Sequence, residues 1–204
     1  MTNRVLLWTV FVLVHAGVGL LGFVLPNEPM GDVYRVYEPW SRAVFSGGGV
    51  VGVTQDWVYP QLALLPMLLA HLPAGLVGDY TVGWPVLVTL VDAVAFALLI
   101  GRGHSRGRVV AAVFWLAAIV CLGPVGLYRI DAVSVPLAIL GCLWLLRRPA
   151  LAAALLAAAT WIKVWPAALL AAAVVAVRRR ARVIAAAALV SVAVLGIVVA
   201  AGGA

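Results

Sequence analysis

Charge is what this chain has least of. Only 10% of its 204 residues are charged, whereas 66% are hydrophobic. A soluble domain is about half apolar and roughly a quarter charged, so a single water-facing globule is excluded. Cysteine is nearly absent. Cys121 and Cys142 are the only two, and both lie in apolar runs, where they read as small buried hydrophobes. They offer no disulfide framework and no thiolate metal site. No metal-ligand spacing, phosphate-cradling glycine loop or dinucleotide fingerprint occurs, and there is no internal repeat. Lysine is used once, at Lys163.

What remains is a series of apolar runs, at roughly 5–25, 58–77, 82–100, 109–127, 131–146, 150–177 and 183–201, each long enough to suggest a membrane-spanning or re-entrant segment. The expected fold is therefore an all-α integral membrane protein, one multi-spanning bundle over residues 1–204. The first run is too long for a signal-peptide core and reads as a transmembrane helix with Arg4 at its cytoplasmic start. The net charge of +7 is carried by short basic groups: Arg102, Arg106 and Arg108; Arg147 and Arg148; Arg178, Arg179, Arg180 and Arg182. Set between apolar runs, these mark cytoplasmic loops under the positive-inside rule and do not form a nucleic-acid surface. The last run ends at Ala-Gly-Gly-Ala with no polar tail.

Two consequences follow for topology. Residues 109–146 form a hairpin whose tip, Leu127 to Asp131, faces outward. Residues 150–177 start and finish on the cytoplasmic side, and Lys163–Pro166 interrupts them. Two short helices meeting at that tip fit the flanking charges; a single long helix kinked at Pro166 is the alternative. The run 58–77 is the difficulty. If 26–57 is outside and 101–108 inside, an odd number of crossings must separate them, and two apolar runs lie there. Pro60, Pro66 and Pro73 suggest that 58–77 is re-entrant or partly interfacial; otherwise 101–108 is external.

Four of the seven acidic residues, Glu28, Asp32, Glu38 and Asp56, fall between 26 and 60. Charge near a bilayer is expensive and is placed where it is used, so an active site would start in this first external loop. Within it, Val33, Val36, Tyr37, Trp40 and Val44 share one helical face, opposite Arg35, Glu38, Ser41 and Arg42, with Glu38 and Arg42 spaced to pair. The aromatics suit a helix lying on a membrane surface, and Asp32 stands where an N-cap is expected. Lys163, between two tryptophans in an apolar run, must be paired or line a polar cavity. Arg129 and Asp131 read as an ion pair at a tip, Asp92 needs a polar partner within its span, and His15 reads as a packed or hydrogen-bonded histidine.

The order of these features resembles a known family. Gly31-Asp32-Val33-Tyr34-x-x-Tyr37, a glycine break, Tyr59-Pro60-x-Leu62-Ala63-x-Leu65-Pro66, Arg129-x-Asp131 and Lys163-x-x-Pro166 occur in sequence. The set is similar to the N-terminal half of the glycosyltransferase C superfamily, and within it to the actinobacterial polyprenyl-phosphate-mannose-dependent mannosyltransferases. Gln61 stands where relatives often carry a second proline. Members are longer chains, with further helices and external loops after this point. The resemblance implies an inverting transfer of a sugar, mannose in that family, from a polyprenyl-phosphate donor to a glycan or glycolipid acceptor on the outer face of the plasma membrane. It implies no cofactor and no metal. By position, Asp32 would be the catalytic base. Lys163 and Arg129 would hold the donor phosphate. Asp131 would orient Arg129 or touch the sugar, and Tyr34, Tyr37 and Tyr59 would line the sugar or lipid groove.

Two other readings fit the same residues. One is a non-catalytic or truncated membrane subunit that binds polyprenyl lipid beside a partner supplying the missing helices. The other is a small transporter with Asp92 and Lys163 as path charges, although no inverted repeat accompanies them.

Overall fold

The computed structural model describes residues 3–202, and every regular element in it is helical. In chain order these are α1 (Asn3–Val24), a wide π-helical turn (Val33–Tyr37) running into α2 (Glu38–Phe45), a 3-10 turn (Gln61–Ala63), α3 (Leu64–Leu69), α4 (His71–Val77), α5 (Tyr80–Ile100), α6 (Arg106–Leu122), α7 (Val125–Tyr128), α8 (Asp131–Trp144), α9 (Pro149–Ile162), α10 (Pro166–Ala176) and α11 (Arg180–Ala200). Three stretches, Arg4–Val24, Tyr80–Ile100 and Arg180–Ala200, are apolar and 21 residues long. At 1.5 Å per residue each measures about 31 Å, close to the roughly 30 Å hydrocarbon thickness of a bilayer. The apolar helices from Gln61–Val77, Asp131–Trp144, Pro149–Ile162 and Pro166–Ala176 are shorter.

α5 is the axis of the larger core. α1, α6 and α8 pack around it, and Trp8, Phe11 and Phe96 interlock between α1 and α5 with ring centroids 4.8–5.3 Å apart. A polar link joins α1 to α5 inside this core. His15 Nδ1 donates to the Phe11 carbonyl at 2.9 Å, and His15 Nε2 meets Asp92 Oδ2 at 3.0 Å. The histidine is thus the polar partner that Asp92 requires. α4 lies close along α5 because residue 83 is glycine; a Cβ there would come within 2.7 Å of Ala74. Asp79 starts α5 by accepting from the backbone N–H groups of Thr81 and Val82 at 2.6 and 3.1 Å. A smaller core of Ala138, Ala153, Leu156, Ala173 and Val183 joins α8, α9, α10 and α11.

The two ends of the bundle are distinct. A Cβ at Gly103 would lie 3.3 Å from Arg4 Cβ, so the basic loop 101–108 sits at the start of α1. At the opposite end, Trp84 in the first turns of α5 donates from Nε1 to the Leu127 carbonyl at 3.0 Å. Gln61–Val77 is broken into α3 and α4 at Ala70, and Tyr80, at the start of α5, donates from its hydroxyl back to the Met67 carbonyl at 2.7 Å. At 150–177, α9 stops at Ile162 and α10 starts at Pro166, with the two helices packed together; the chain takes the two-helix form.

Several sequence expectations are corrected. Asp32 has helical backbone angles and no capping hydrogen bond, because its carboxylate is engaged elsewhere. Ser41, assigned to the polar face, is fully buried with Val33 and Tyr37. The wide turn brings every fourth residue onto one line, and Ser41 Oγ meets His71 Nε2 at 2.8 Å. The expected Glu38–Arg42 pair forms. The arms of 109–146 do not pack as one hairpin, since α5 lies between α6 and α8. Cys121 and Cys142 are exposed on outer helix faces; in an apolar helix, hydrophobic character does not require burial against protein.

Candidate functional site

The π-helical turn puts Asp32 at its mouth and Tyr37 on its inner side. Tyr37 is fully buried and packs against Trp84, with the rings tilted by 42° and their centroids 4.6 Å apart. Its hydroxyl oxygen accepts the Ile130 N–H at 3.0 Å. With Trp84 Nε1 held by Leu127, two buried aromatic side chains anchor the whole tip from Leu127 to Asp131. Burial raises the Tyr37 hydroxyl well above its ordinary range, with smaller contributions from Tyr59 and Asp32, so it stays a neutral phenol. Arg129 is extended, at φ −93° and ψ 151°. Ile130 is buried at the tip, and its two neighbours, Arg129 and Asp131, carry their charges outward.

Those outward charges find partners from distant segments. Arg129 Nη1 donates to Asp32 Oδ2 in an ion pair that joins residues 97 positions apart. Asp131 Oδ2 faces Lys163 Nζ at 3.6 Å. Lys163 is extended between α9 and α10, and its ammonium lies 5.0 Å from the centroid of the Tyr59 ring. Trp165 Nε1 donates to Ser134 Oγ at 3.2 Å and ties the Lys163 tip to α8. Around Tyr59 stand Trp57, Trp40 and Tyr37, edge to face at 5.9, 6.1 and 6.5 Å.

The site is thus two acids, two bases and an aromatic wall at one end of the bundle. The side chains of Asp32, Arg129, Lys163 and Asp131 are 29%, 50%, 35% and 43% exposed, so both ion pairs are open to exchange with an incoming anion. Exposed pairs of this kind contribute about 0–1 kcal/mol. Such a set can accept a proton at a carboxylate, hold an anion between a guanidinium and an ammonium, and stack a ring on an aromatic face.

Of the residues singled out in the sequence, Asp32, Arg129, Asp131, Lys163, Tyr37 and Tyr59 come together. Asp131 pairs with Lys163, whereas the sequence suggested Arg129 for it. Tyr37 has no free surface and supports the tip from below. Tyr34 turns away: its hydroxyl donates to Glu28 Oε2 at 2.8 Å, which raises its pKa, and Arg35 pairs with the same carboxylate. Trp84, Trp165 and Ser134 were not expected. Their one sequence signal is a tryptophan ahead of a proline in an apolar run, at Trp84-Pro85 and Trp165-Pro166, where the indole N–H needs a partner. Among the described residues no cluster of His, Cys, Asp or Glu suits a metal. Comparison with protein-family models, curated proteins and solved structures finds no match to this chain.

Proposed function

We propose that this chain is an integral membrane glycosyltransferase that moves a sugar, mannose by the resemblance, from a polyprenyl-phosphate donor to a hydroxyl of a glycan or glycolipid. The observation that carries this reading is the meeting of Asp32 with Arg129, and of Lys163 with Asp131, at one end of the bundle. The basic loops 101–108, 147–149 and 178–182 belong to the other end. Under the positive-inside rule the basic loops support a reading in which the charged site faces outward, the side on which the resembled family uses its lipid-linked donor.

In the reaction, the acceptor oxygen attacks the anomeric carbon as Asp32 takes its proton. The bond from that carbon to the phosphate oxygen breaks, its electron pair leaves with the phosphate, and the anomeric configuration inverts. Arg129 and Lys163 stabilise the departing phosphate. In the resting site Arg129 engages Asp32. A phosphate offers the guanidinium charge-assisted bonds of the same kind as the carboxylate does, and the exposed pair it would give up contributes only about 0–1 kcal/mol, so the exchange costs little. Donor binding then frees the Asp32 oxygen that must receive the proton. A lipid-linked mannose transfer assay comparing wild type with Asp32→Ala tests the assignment. Activity is expected to vanish in the variant, and full activity there would sink it.

A further inference from the structure

At the end of the bundle away from the charged site, four arginines gather without an acid. A Cβ at Gly103 would lie 3.3 Å from Arg4 Cβ, so the loop 101–108 rests on the first turn of α1 and brings Arg102, Arg106 and Arg108 to Arg4. A Cβ at Gly101 would meet Arg108 Nη1 at 2.8 Å, so that guanidinium lies along the loop. Arg4, Arg102 and Arg106 are exposed. Among the described residues none of the four takes part in an ion pair. Six of the seven acidic residues, Glu28, Asp32, Glu38, Asp56, Asp79 and Asp131, belong to the other end, and Asp92 is inside the core on His15.

The helices do not account for this charge. α1 and α6 both begin here, with no acid in the first turn of either, and cations near a helix start oppose its dipole. The arginines therefore call for an anion from outside the chain.

Directly beneath them runs a groove along α1. Arg4 stands at its mouth, and Val5, Trp8, Thr9, Val12 and Leu13 line it over a volume of about 550 Å³. Its lining is nearly all apolar, and the Thr9 hydroxyl is spent on the Val5 carbonyl at 3.0 Å. The Trp8 ring is fixed edge to face on Phe11 and Phe96, each at 5.3 Å, so the wall is firm. From Arg4 to Leu13 the helix rises about 14 Å, close to half of the roughly 30 Å hydrocarbon layer. The groove thus matches the depth of one leaflet.

We propose that this face of α1 binds an anionic phospholipid, with its phosphate among the guanidiniums and one acyl chain in the groove. Guanidinium and phosphate form charge-assisted, often bidentate bonds, and basic pockets at the cytoplasmic ends of membrane helices suit anionic headgroups. The pairing of features decides the occupant. An acidic protein or a free anion would cover the arginines and leave the groove bare. A neutral lipid would fill the groove and leave the guanidiniums unmatched. The proposal rests on the membrane reading of the chain and is independent of the transferase reading, since the charged site lies at the opposite end.

The test titrates dioleoyl-phosphatidylglycerol and dioleoyl-phosphatidylcholine into the full chain in neutral detergent and counts bound lipid by native mass spectrometry. The acyl chains are identical, so the comparison isolates the headgroup. The anionic lipid is expected to bind roughly tenfold tighter or more, at about fivefold for each arginine near a lipid surface. Arg4→Gln with Arg106→Gln should abolish the preference. Arg178→Gln with Arg180→Gln, exposed arginines in another loop at the same end, should leave it within about twofold. Thr9→Trp, which fills the groove from an exposed position, should weaken both lipids alike. Equal affinity of wild type for the two lipids overturns the proposal, as does an equal loss from the two arginine pairs, which would mean diffuse attraction. Unchanged binding in Thr9→Trp removes the groove and with it the site. Displacement of the lipid by sn-glycerol 3-phosphate would show a site for an anion alone, and displacement by polyglutamate a surface for an acidic protein; either result also sinks it.

Discussion

Arg129 reaches Asp32 across 97 residues of chain, and the residue next to it in sequence, Ile130, is held by the hydroxyl of Tyr37, five residues after Asp32. One short stretch thus supplies both a carboxylate and the support that aims a cation at it. The charged contact is exposed and the support is buried, so the two respond differently to mutation.

Asp32→Asn keeps the shape of the site and removes the carboxylate proposed as the base. The exposed pair contributes about 0–1 kcal/mol, so the melting temperature is expected to change little. Transfer is expected to fall by about 10²–10⁴-fold, the range for a positioned general base. A thermal melt and an initial-rate assay on the same preparation check both halves. A large fall in stability with unchanged rate would make Asp32 a structural residue.

Lys163→Gln removes the sole lysine from its place over Tyr59 and opposite Asp131. A hydrogen bond to a charged group is worth about 1.5–3 kcal/mol, so affinity for undecaprenyl phosphate should drop roughly 10- to 150-fold. Undecaprenol, which lacks the phosphate, should bind wild type and variant alike. Titration of both lipids into nanodiscs carrying each protein measures the difference. An equal loss for the two lipids would mean that Lys163 supports the fold and does not read the phosphate.

Much of this site was visible in the chain because charge is so sparse in it. Asp32, Arg129, Asp131 and Lys163 stood out against apolar runs, and the arginine clusters put three of them at predicted outer tips. Which acid would meet which base was not visible. Arg129 and Asp131 are two residues apart and suggest a local pair, but the burial of Ile130 between them sends each to a different distant partner. The Asp32 cap failed for a related reason: a competing guanidinium won the carboxylate. The break of 61–77 into two short helices at Ala70 was not legible in position, since Pro66 and Pro73 fit a single kinked helix equally well. Tyr37 looked like a groove residue because tyrosine at a membrane surface usually keeps its hydroxyl wet; here the π-helical turn rotates it inward against Trp84.

That inward rotation gives Tyr37→Phe a distinct signature. The substitution leaves the Ile130 N–H buried without an acceptor, at a cost of about 1–3 kcal/mol. It also loosens the tip that carries Arg129 and Asp131, so the rate should fall although no reacting group is changed. Alkali tests the same contact. The folded state raises the Tyr37 pKa above its ordinary value of 10.0, chiefly by burial. The neutral phenol is therefore favoured by folding. Its contribution is complete below about pH 10 and declines as pH rises beyond that. Wild type should lose stability above about pH 10 more steeply than Tyr37→Phe, measured by melting temperature against pH. Parallel curves would remove Tyr37 from this role.

Among the described residues the His15–Asp92 link is the one side-chain hydrogen bond that joins α1 to α5, and it should behave as a unit. Both residues are almost wholly buried, and Asp92 Oδ1 already lacks a partner among the described residues. Removing one member of a buried pair strands the other, at about 3–5 kcal/mol, whereas replacing both with apolar groups of similar volume is often neutral or stabilising. His15→Leu and Asp92→Leu should each lower the melting temperature sharply, and the double variant should regain most of the loss. Because Asp32 follows α1 and Trp84 belongs to α5, transfer activity should recover together with stability if the link only aligns these helices. Recovery of stability without activity would instead show that the pair takes part in the chemistry, a role that its distance along α1 and α5 from the charged tips argues against.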